Sequence, residues 1–459
     1  MEIISKINSA VNGVVWGPIM LVILIGTGLY LSIRLGFLQF GRFKYMMKNT
    51  IFGAFKKNQH TKDESGVSPF QAVATAMAGT IGTGSIAGLA TAIVTGGPGA
   101  IFWMWISALL GMVTKYCEIV LSLKYREKNA LGEWVGGPMY YIKNGLKLKW
   151  LAVLFAIFAM LACLGTGNAT QSNSIAVALE STMNVNPYIT GVVLVVISAA
   201  VILGGMRRIA SVNEKMVPFM AVFFVVCSLV AVFLNIGKVP AAFGLIFREA
   251  FNFKAAAGGT AGYGIMAAMH YGFSRGIFSN EAGLGSAPIA HAASSTKDPV
   301  KQGLWGMFEV FFTTIIICTL SGLVVLTSGL WNGGEYKGAA LSIASFNEAI
   351  PGVGGIIVTL ATVFFALSTI LGWAYYGEVC IGFLTNKSKK AVLIYRIIYI
   401  GFVFLGTVGE LDLIWSISET MNGLMIIPNL IGVVGLFGIV KQLTKDHFSS
   451  IDSSRKIKS

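Results

Sequence analysis

Apolar runs long enough to cross a bilayer as helices recur along the whole chain, separated by short polar and basic stretches. Eleven spans are legible, at roughly 13–33, 69–95, 99–123, 150–180, 187–204, 214–236, 258–293, 302–328, 352–383, 391–408 and 411–440. Two of them break the pattern. Residues 69–90, PFQAVATAMAGTIGTGSIAGLA, and 272–288, GFSRGIFSNEAGLGSAP, mix glycines and polar side chains into otherwise apolar segments. A lipid-facing helix has no use for Gly82, Gly84, Asn280 or Glu281. Backbone that leaves the helix at membrane depth must be buried in protein or line a cavity.

The places of the two breaks matter as much as their composition. With the first span set aside, ten remain, and each set of five opens on a break. An odd number of spans between equivalent elements inverts the second set, the arrangement of many secondary transporters. The chain then divides into an N-terminal span with its cytoplasmic loop (1–68), a first five-helix repeat (69–240), a second, inverted repeat (241–440) and a cytoplasmic tail (441–459). The segments 237–257 and 329–350 are each expected to hold a short surface helix.

Composition supports this reading. The 459 residues are 55% hydrophobic and only 12% charged, with a mean hydropathy of +0.74, whereas a soluble domain carries about 25% charged residues. The net charge of +14 would suit nucleic acid if it were pooled on one soluble face. Instead, most of the 34 lysines and arginines fall in the loops 34–68 and 124–149, near 207–215, 297–301 and 387–396, and in the tail. The opposite side holds only Lys6, Lys238, Arg248, Lys254 and Lys337, while Lys115 and Arg275 lie within spans. Positive residues stay inside, so the N-terminus is expected outside and the C-terminus in the cytoplasm of a multi-pass inner-membrane protein with no nucleic-acid partner. The first apolar run has no small-x-small cleavage site after Leu31 and is expected to be retained. The five cysteines lie in or beside apolar segments without metal-ligand spacing and read as small buried hydrophobes. No nucleophile is matched with a base, and an enzyme is not expected.

The chemistry sits in the breaks. From Ala78 to Ser85 the first offers backbone N–H and C=O groups freed from the helix. The N-terminal end of the following half-helix suits a carboxylate, and freed carbonyls suit Na⁺. Close helix packing is the competing use of these glycines. The second break offers Ser279, Asn280, Gly283 and Gly285, with Arg275 and Glu281 as ionisable groups at membrane depth. Gln171 in the fourth span can donate to a carboxylate or accept from an ammonium. In the ninth span, Ser368 and Thr369 with the carbonyl of Phe365 form a set of hard oxygen ligands, although such hydroxyls also bond to their own helix. Phe273, Ile277 and Trp373 are candidates for an apolar wall.

Four stretches carry a resemblance to a known family: ATAMAGTIGTGSIAGLATAI at 74–93, GNATQSNSIA at 167–176, GFSRGIFSNEAGLGSAPIAHAA at 272–293 and FFALSTILGWAYYGE at 364–378. Together they resemble the alanine or glycine:cation symporter family (sodium:alanine symporters). The resemblance implies an all-α polytopic membrane protein of eleven transmembrane helices. Ten would form an inverted repeat resembling the bacterial leucine transporter fold, preceded by one extra helix. It implies uptake of small neutral amino acids coupled to Na⁺, with H⁺ as the alternative ion, by a chain expected to act as a monomer in the lipid bilayer. It also places the substrate carboxylate on the break from Gly79 through Thr80 and Gly82 to Gly84, and the polar end of the substrate near Gln171. Phe273, Gly276, Ile277 and Trp373 would line the side-chain cavity, and carbonyls near Ser279 would meet the amino group. The cation would take Ala78, Ile81, Phe365, Ser368 and Thr369. Where relatives often carry Asn, this chain has Ser85.

Overall fold

Polar caps followed by proline fix where several helices begin. Ser68 accepts from Gln71 N while Gln71 Oε1 accepts from Ser68 N, a capping box, and Pro69 takes the first helical position. Asn186 with Pro187 and Asp298 with Pro299 repeat the device, and Ser388 caps a further helix. The computed structural model describes residues 2–54, 66–251, 264–334, 336–409 and 412–456. These are almost entirely helical. A two-stranded antiparallel pair, Glu127–Lys128 with Trp134–Val135, lies in the loop after the Ala100–Lys124 helix.

Among the described residues eight helices are long and apolar enough to cross a membrane, and nine if the bent pair Pro69–Thr80 and Thr83–Gly96 is one span. Eleven spans were expected, and the difference has a physical source. The helix Pro187–Ile202 is apolar but has only 16 residues. The seventh expected span is divided into Ile265–Asn280 and Ala287–Ala292, each short and the first rich in polar groups, and its start, 258–263, lies outside the described residues. Helices Val239–Ala250 and Gly338–Ala349 occupy the two segments where short surface helices were expected.

The first broken helix is the centre of the molecule, with every residue from Ala72 to Thr80 buried. Around its first half pack the long helices Gly205–Leu234 and Gly354–Leu384 and the short helix Ala287–Ala292, while Ala100–Lys124 packs on the second broken helix; the inner faces of these long helices are buried. Outer faces run the other way. Phe219, Val222, Val226, Leu229, Val230 and Phe233 recur at helical spacing and are exposed, as are Ile394, Ile397, Ile398 and Leu405. Apolar stripes of that length on the outside of an apolar bundle are the surface that lipid tails cover.

Two helices are interrupted by π-helical turns, at Gly165–Ala169 and Phe311–Cys318. Such turns often stand at functional positions because they free backbone groups and shift a side-chain face. The first of them faces the first break.

Candidate substrate and cation site

Helix Pro69–Thr80 ends at Ile81. Gly82 is extended, and the chain restarts through the tight turn Thr83–Ser85 into helix Ala87–Gly96, a bend of 58°. A Cβ on Gly82 would lie 2.7 Å from Thr369 Oγ1 and 3.3 Å from Gln171 Oε1, so only glycine lets the backbone pass between those two side chains. The second break begins where helix Ile265–Asn280 stops on Glu281. Glu281 is a non-glycine residue in the left-handed region, at φ 55°, and Gly283 and Gly285 follow at φ 92° and 80°. A left-handed carboxylate residue in the interior costs about 1–3 kcal/mol and persists only where its surroundings fix it. The two breaks touch: Ser85 Oγ lies 3.1 Å from Ser279 Oγ.

The oxygen set expected for a cation is largely assembled. Thr369 Oγ1 is 2.9 Å from the carbonyl oxygens of both Ala78 and Phe365. Ser368 Oγ is 2.8 Å from Phe365 O and 3.4 Å from Ala78 O. All four residues are buried. These are neutral hard oxygens from two helices, a chemistry that fits Na⁺ and does not fit a soft transition metal. Ile81 is buried beside them, but its carbonyl makes no recorded contact with the set. Among the described residues no group of three or more His, Cys, Asp or Glu side chains could hold a metal.

Next to this set is a small cavity of about 20 Å³ lined by Gly79, Thr80, Gly82, Gly84, Gln171, Thr369 and Trp373, and also by Thr166, Phe278, Glu281, Leu284 and Asn422. Gln171 is already engaged. Its Oε1 accepts from Thr83 Oγ1 at 3.1 Å and from Thr83 N at 3.3 Å, and its Nε2 donates to Thr166 O in the π-helical turn at 3.0 Å. It therefore holds the break in shape. Trp373 Nε1 spans both breaks, donating to Glu281 Oε1 at 3.0 Å and Gly79 O at 3.3 Å. Gly79 also permits close packing, since a Cβ there would stand 2.7 Å from the Tyr376 hydroxyl.

Three expected wall residues lie elsewhere. Phe273 and Ile277 line a separate crevice with Leu24, Ser107 and Leu110. Gly276 faces the Ala100–Lys124 helix, where a Cβ would lie 2.9 Å from Ser107 Oγ. Ser279 is buried against Ser85 and Cys318 Sγ rather than against the cavity. Phe278, one turn away from Ser274, supplies the aromatic wall instead.

Several functional candidates escaped the sequence reading. Asn422 is 1% exposed and lines the cavity, yet neither its amide nitrogen nor its oxygen has a partner. Lys115 is fully buried and donates to Asn280 O and Glu309 Oε1, both at 2.7 Å. Glu309 Oε1 also accepts from Thr80 Oγ1 at 2.9 Å, and its Oε2 lies 3.1 Å from His291 Nε2. One ion pair thus joins the end of the second half-helix to the end of the first. The charges of Lys115 and Glu309 inside apolar spans were the available signal.

A wider cavity of about 340 Å³ lies against the inner one and shares Gly84, Thr166 and Phe278 with it. Arg275 and Glu419 line it, 3.7 Å apart, and the Arg275 guanidinium is 5.8 Å from the centre of the Phe278 ring. Of the three residues that line both cavities, Phe278 has the largest side chain.

The chain is similar over nearly its whole length to known transporters. The sodium/alanine symporter AgcS of Methanococcus maripaludis is 49% identical over 452 residues, 97% of each chain. An uncharacterized transporter of Haemophilus influenzae is 47% identical, covering 98% of this chain and 97% of that one. The probable sodium/glutamine symporter GlnT of Bacillus subtilis is 37% identical, covering 97% and 91%. Among solved structures, a substrate-bound, outward-open Na⁺-coupled sialic acid symporter superposes with a TM-score of 0.57 over 92% of this chain and 86% of that chain. At 16% identity this likeness concerns the fold alone. The sodium:alanine symporter family model matches residues 1–458, and the chain belongs to that family: it is a cation-coupled secondary transporter of small neutral amino acids with Na⁺ as coupling ion, and not an enzyme.

Proposed function

We propose that this protein carries alanine and glycine into the cell together with Na⁺ by alternating access. The observation that carries the reading is the meeting of the Ala78 carbonyl, at the first break, with Ser368 and Thr369 of the Gly354–Leu384 helix. In this reading Ala78, Ile81, Phe365, Ser368 and Thr369 are the Na⁺ seat. Bound there, Na⁺ ties the first broken helix to the long helix and completes the wall of the neighbouring cavity.

The cavity takes the amino acid. The N–H groups of Gly82 and Gly84, on either side of the Thr83 amide that Gln171 holds, receive its carboxylate, at the start of the half-helix that continues to Gly96. Gly79, Thr80, Gln171 and Trp373 shape the remaining wall. A volume of about 20 Å³ is room for about one water, so an alanine enters only when the wall moves, and Phe278 is the largest side chain lining both it and the wider cavity. Phe273, Gly276 and Ile277 act at one remove, setting the packing of the second broken helix.

The same reading places eleven spans in the membrane. The short helix Pro187–Ile202 and the divided segment through Ala292 each count as one, and ten form two inverted repeats, 69–240 and 241–440, resembling the bacterial leucine transporter fold. The N-terminus is outside, the C-terminus is inside, and the 340 Å³ cavity opens outward. Size limits selectivity only modestly, since an extra methylene costs about 1–3 kcal/mol in a tight pocket. The amino acids in the names of the relatives AgcS and GlnT, alanine and glutamine, bracket what such a pocket has to sort.

Uptake of labelled alanine into liposomes containing the purified protein tests this. A Na⁺ gradient at fixed pH is expected to drive accumulation. Accumulation under a pH gradient alone, with no response to Na⁺, would replace Na⁺ by H⁺ in the same architecture.

A further inference from the structure

We propose that Glu281 is the counter-ion of the substrate's ammonium group. This rests on the preceding reading that the central cavity binds an amino acid, and it departs from the expectation that backbone carbonyls near Ser279 alone receive the amino group.

A census of buried charge leads here. Glu118, Glu281 and Glu309 are buried carboxylates at the centre of the bundle, and Lys115 is the buried ammonium among them. Lys115 is committed to Glu309 at 2.7 Å. Glu118 takes the Gly283 N–H at 3.0 Å and the Asn429 amide, beside the second break. Glu281 receives only neutral donors: Trp373 Nε1 on Oε1 at 3.0 Å, and Ser286 Oγ on Oε2 at 2.6 Å. It is 2% exposed. No cation among the described residues makes an ion pair with it, and the Lys115 charge reaches it only through space while paired with Glu309.

Glu281 is also the one charged side chain among the described residues lining the inner cavity. Its left-handed backbone, at φ 55°, turns the chain there at a cost, and Trp373 and Ser286 fix the carboxylate. A zwitterion carries two charges. The Gly82–Gly84 amides and the half-helix end answer its negative one. The cation seat at Ala78 and Thr369 is built from neutral oxygens and answers Na⁺. The remaining positive charge is the ammonium, whose three N–H groups need acceptors. Glu281 Oε1 and Gly79 O converge on the Trp373 N–H and supply two acceptors on the cavity wall. Asn422, with both amide atoms unpartnered on that wall, adds a further polar contact.

The test compares wild type, E281Q and E281D in uptake of alanine competed by lactate, which replaces the ammonium by a hydroxyl. Na⁺-induced thermal stabilisation serves as the readout of fold and cation seat. E281Q is expected to keep Na⁺-induced stabilisation, raise the KM for alanine by about 30-fold or more, and lose its preference for alanine over lactate. E281D keeps the charge and is expected to retain that preference with a smaller rise in KM. An alanine KM in E281Q within about threefold of wild type, or loss of the Na⁺ response with alanine preference intact, overturns the proposal. If E281Q yields no folded protein, E281D decides alone: a folded E281D that no longer prefers alanine overturns it. Wild-type protein that takes up no alanine under a Na⁺ gradient is the separate failure, that of the underlying function.

Discussion

Thr369 carries two jobs at one oxygen. Its hydroxyl meets Ala78 O and Phe365 O at 2.9 Å each, and a Cβ on Gly82 would run into it. Thr369→Ala is expected to raise the Na⁺ concentration for half-maximal uptake at least ~10-fold while leaving alanine-over-serine selectivity in place, whereas Thr369→Ser stays near wild type. A wild-type Na⁺ response in Thr369→Ala would remove this residue from the seat. Asn422 gives the opposite kind of prediction. Two buried, unpaired amide atoms cost about 1–3 kcal/mol each, so Asn422→Leu is expected to raise the melting temperature slightly and weaken alanine uptake. Unchanged KM would return Asn422 to packing. The approach of Ser368 and Thr369 to the first break was foreshadowed in the sequence, because adjacent hydroxyls in an apolar helix are conspicuous. That Phe273, Gly276 and Ile277 lie off the lining of the inner cavity was not legible, because a helix buried on most of its circumference gives no amphipathic signal for which face turns inward. Gly272 and Gly276, one turn apart and both pressed on the Ala100–Lys124 helix, set that face by packing.

At the scale of elements, Lys115, Glu309 and His291 form a strut between the two broken helices. Removing one partner of a buried pair leaves the other charge uncompensated, at a cost of about 3–5 kcal/mol. Lys115→Met is expected to lower thermal stability sharply, and Lys115→Met with Glu309→Gln to recover much of it. A double variant no more stable than the single one would mean that the pair acts through something other than charge balance. A second tie lies outside the spans. Asp298 caps helix Pro299–Val310 through Val300 N and Lys301 N, and its other oxygen is 3.2 Å from His447 Nδ1 on helix Phe437–Lys456. Burial pushes the Asp298 carboxyl up, but the His447 hydrogen bond and charge, with the Lys301 contacts, outweigh it and hold the group below its usual value. A depressed carboxylate stabilises the fold above its unfolded pKa, and that stability goes as pH falls through the folded one. The tail helix is therefore expected to stay docked at neutral pH and to loosen only in acid below about pH 4. Asp298→Asn keeps the cap and replaces the carboxylate oxygen that faces His447 Nδ1, so amide exchange across 437–456 should rise at neutral pH without loss of the Pro299–Val310 helix. The helix start at Pro69 matches the expected span, whereas the Asp298-Pro299 start lies three residues before the expected 302. The π-helical turns were not, because Gly165–Ala169 and Phe311–Cys318 differ from ordinary helix only in which carbonyl each N–H meets.

For the whole molecule, the two breaks and the partition of basic residues lead to an expectation of eleven spans, where apolar length gives eight or nine among the described residues. Helix Pro187–Ile202 is short, and the divided segment through Ala292 is polar because it is buried in protein. Under the proposed inverted repeat, symmetry between the halves, rather than apolar length, brings them into the count. The energetics of the assembled machine yield the last prediction. An alanine zwitterion is net neutral, so in a one-to-one cycle the charge moved inward is that of one Na⁺. At −100 mV this is worth about 2.3 kcal/mol, or roughly fifty-fold accumulation, before any Na⁺ concentration gradient is added. Liposomes with equal Na⁺ on both sides and an imposed potential of that size isolate the electrical part. Internal alanine is expected to plateau near fifty-fold over the outside, and a plateau near the square of that value would mean two Na⁺ per alanine. No accumulation under voltage, with Na⁺-gradient uptake intact, would show that the complete cycle moves no net charge, which requires that a cation such as H⁺ be carried outward on the return step.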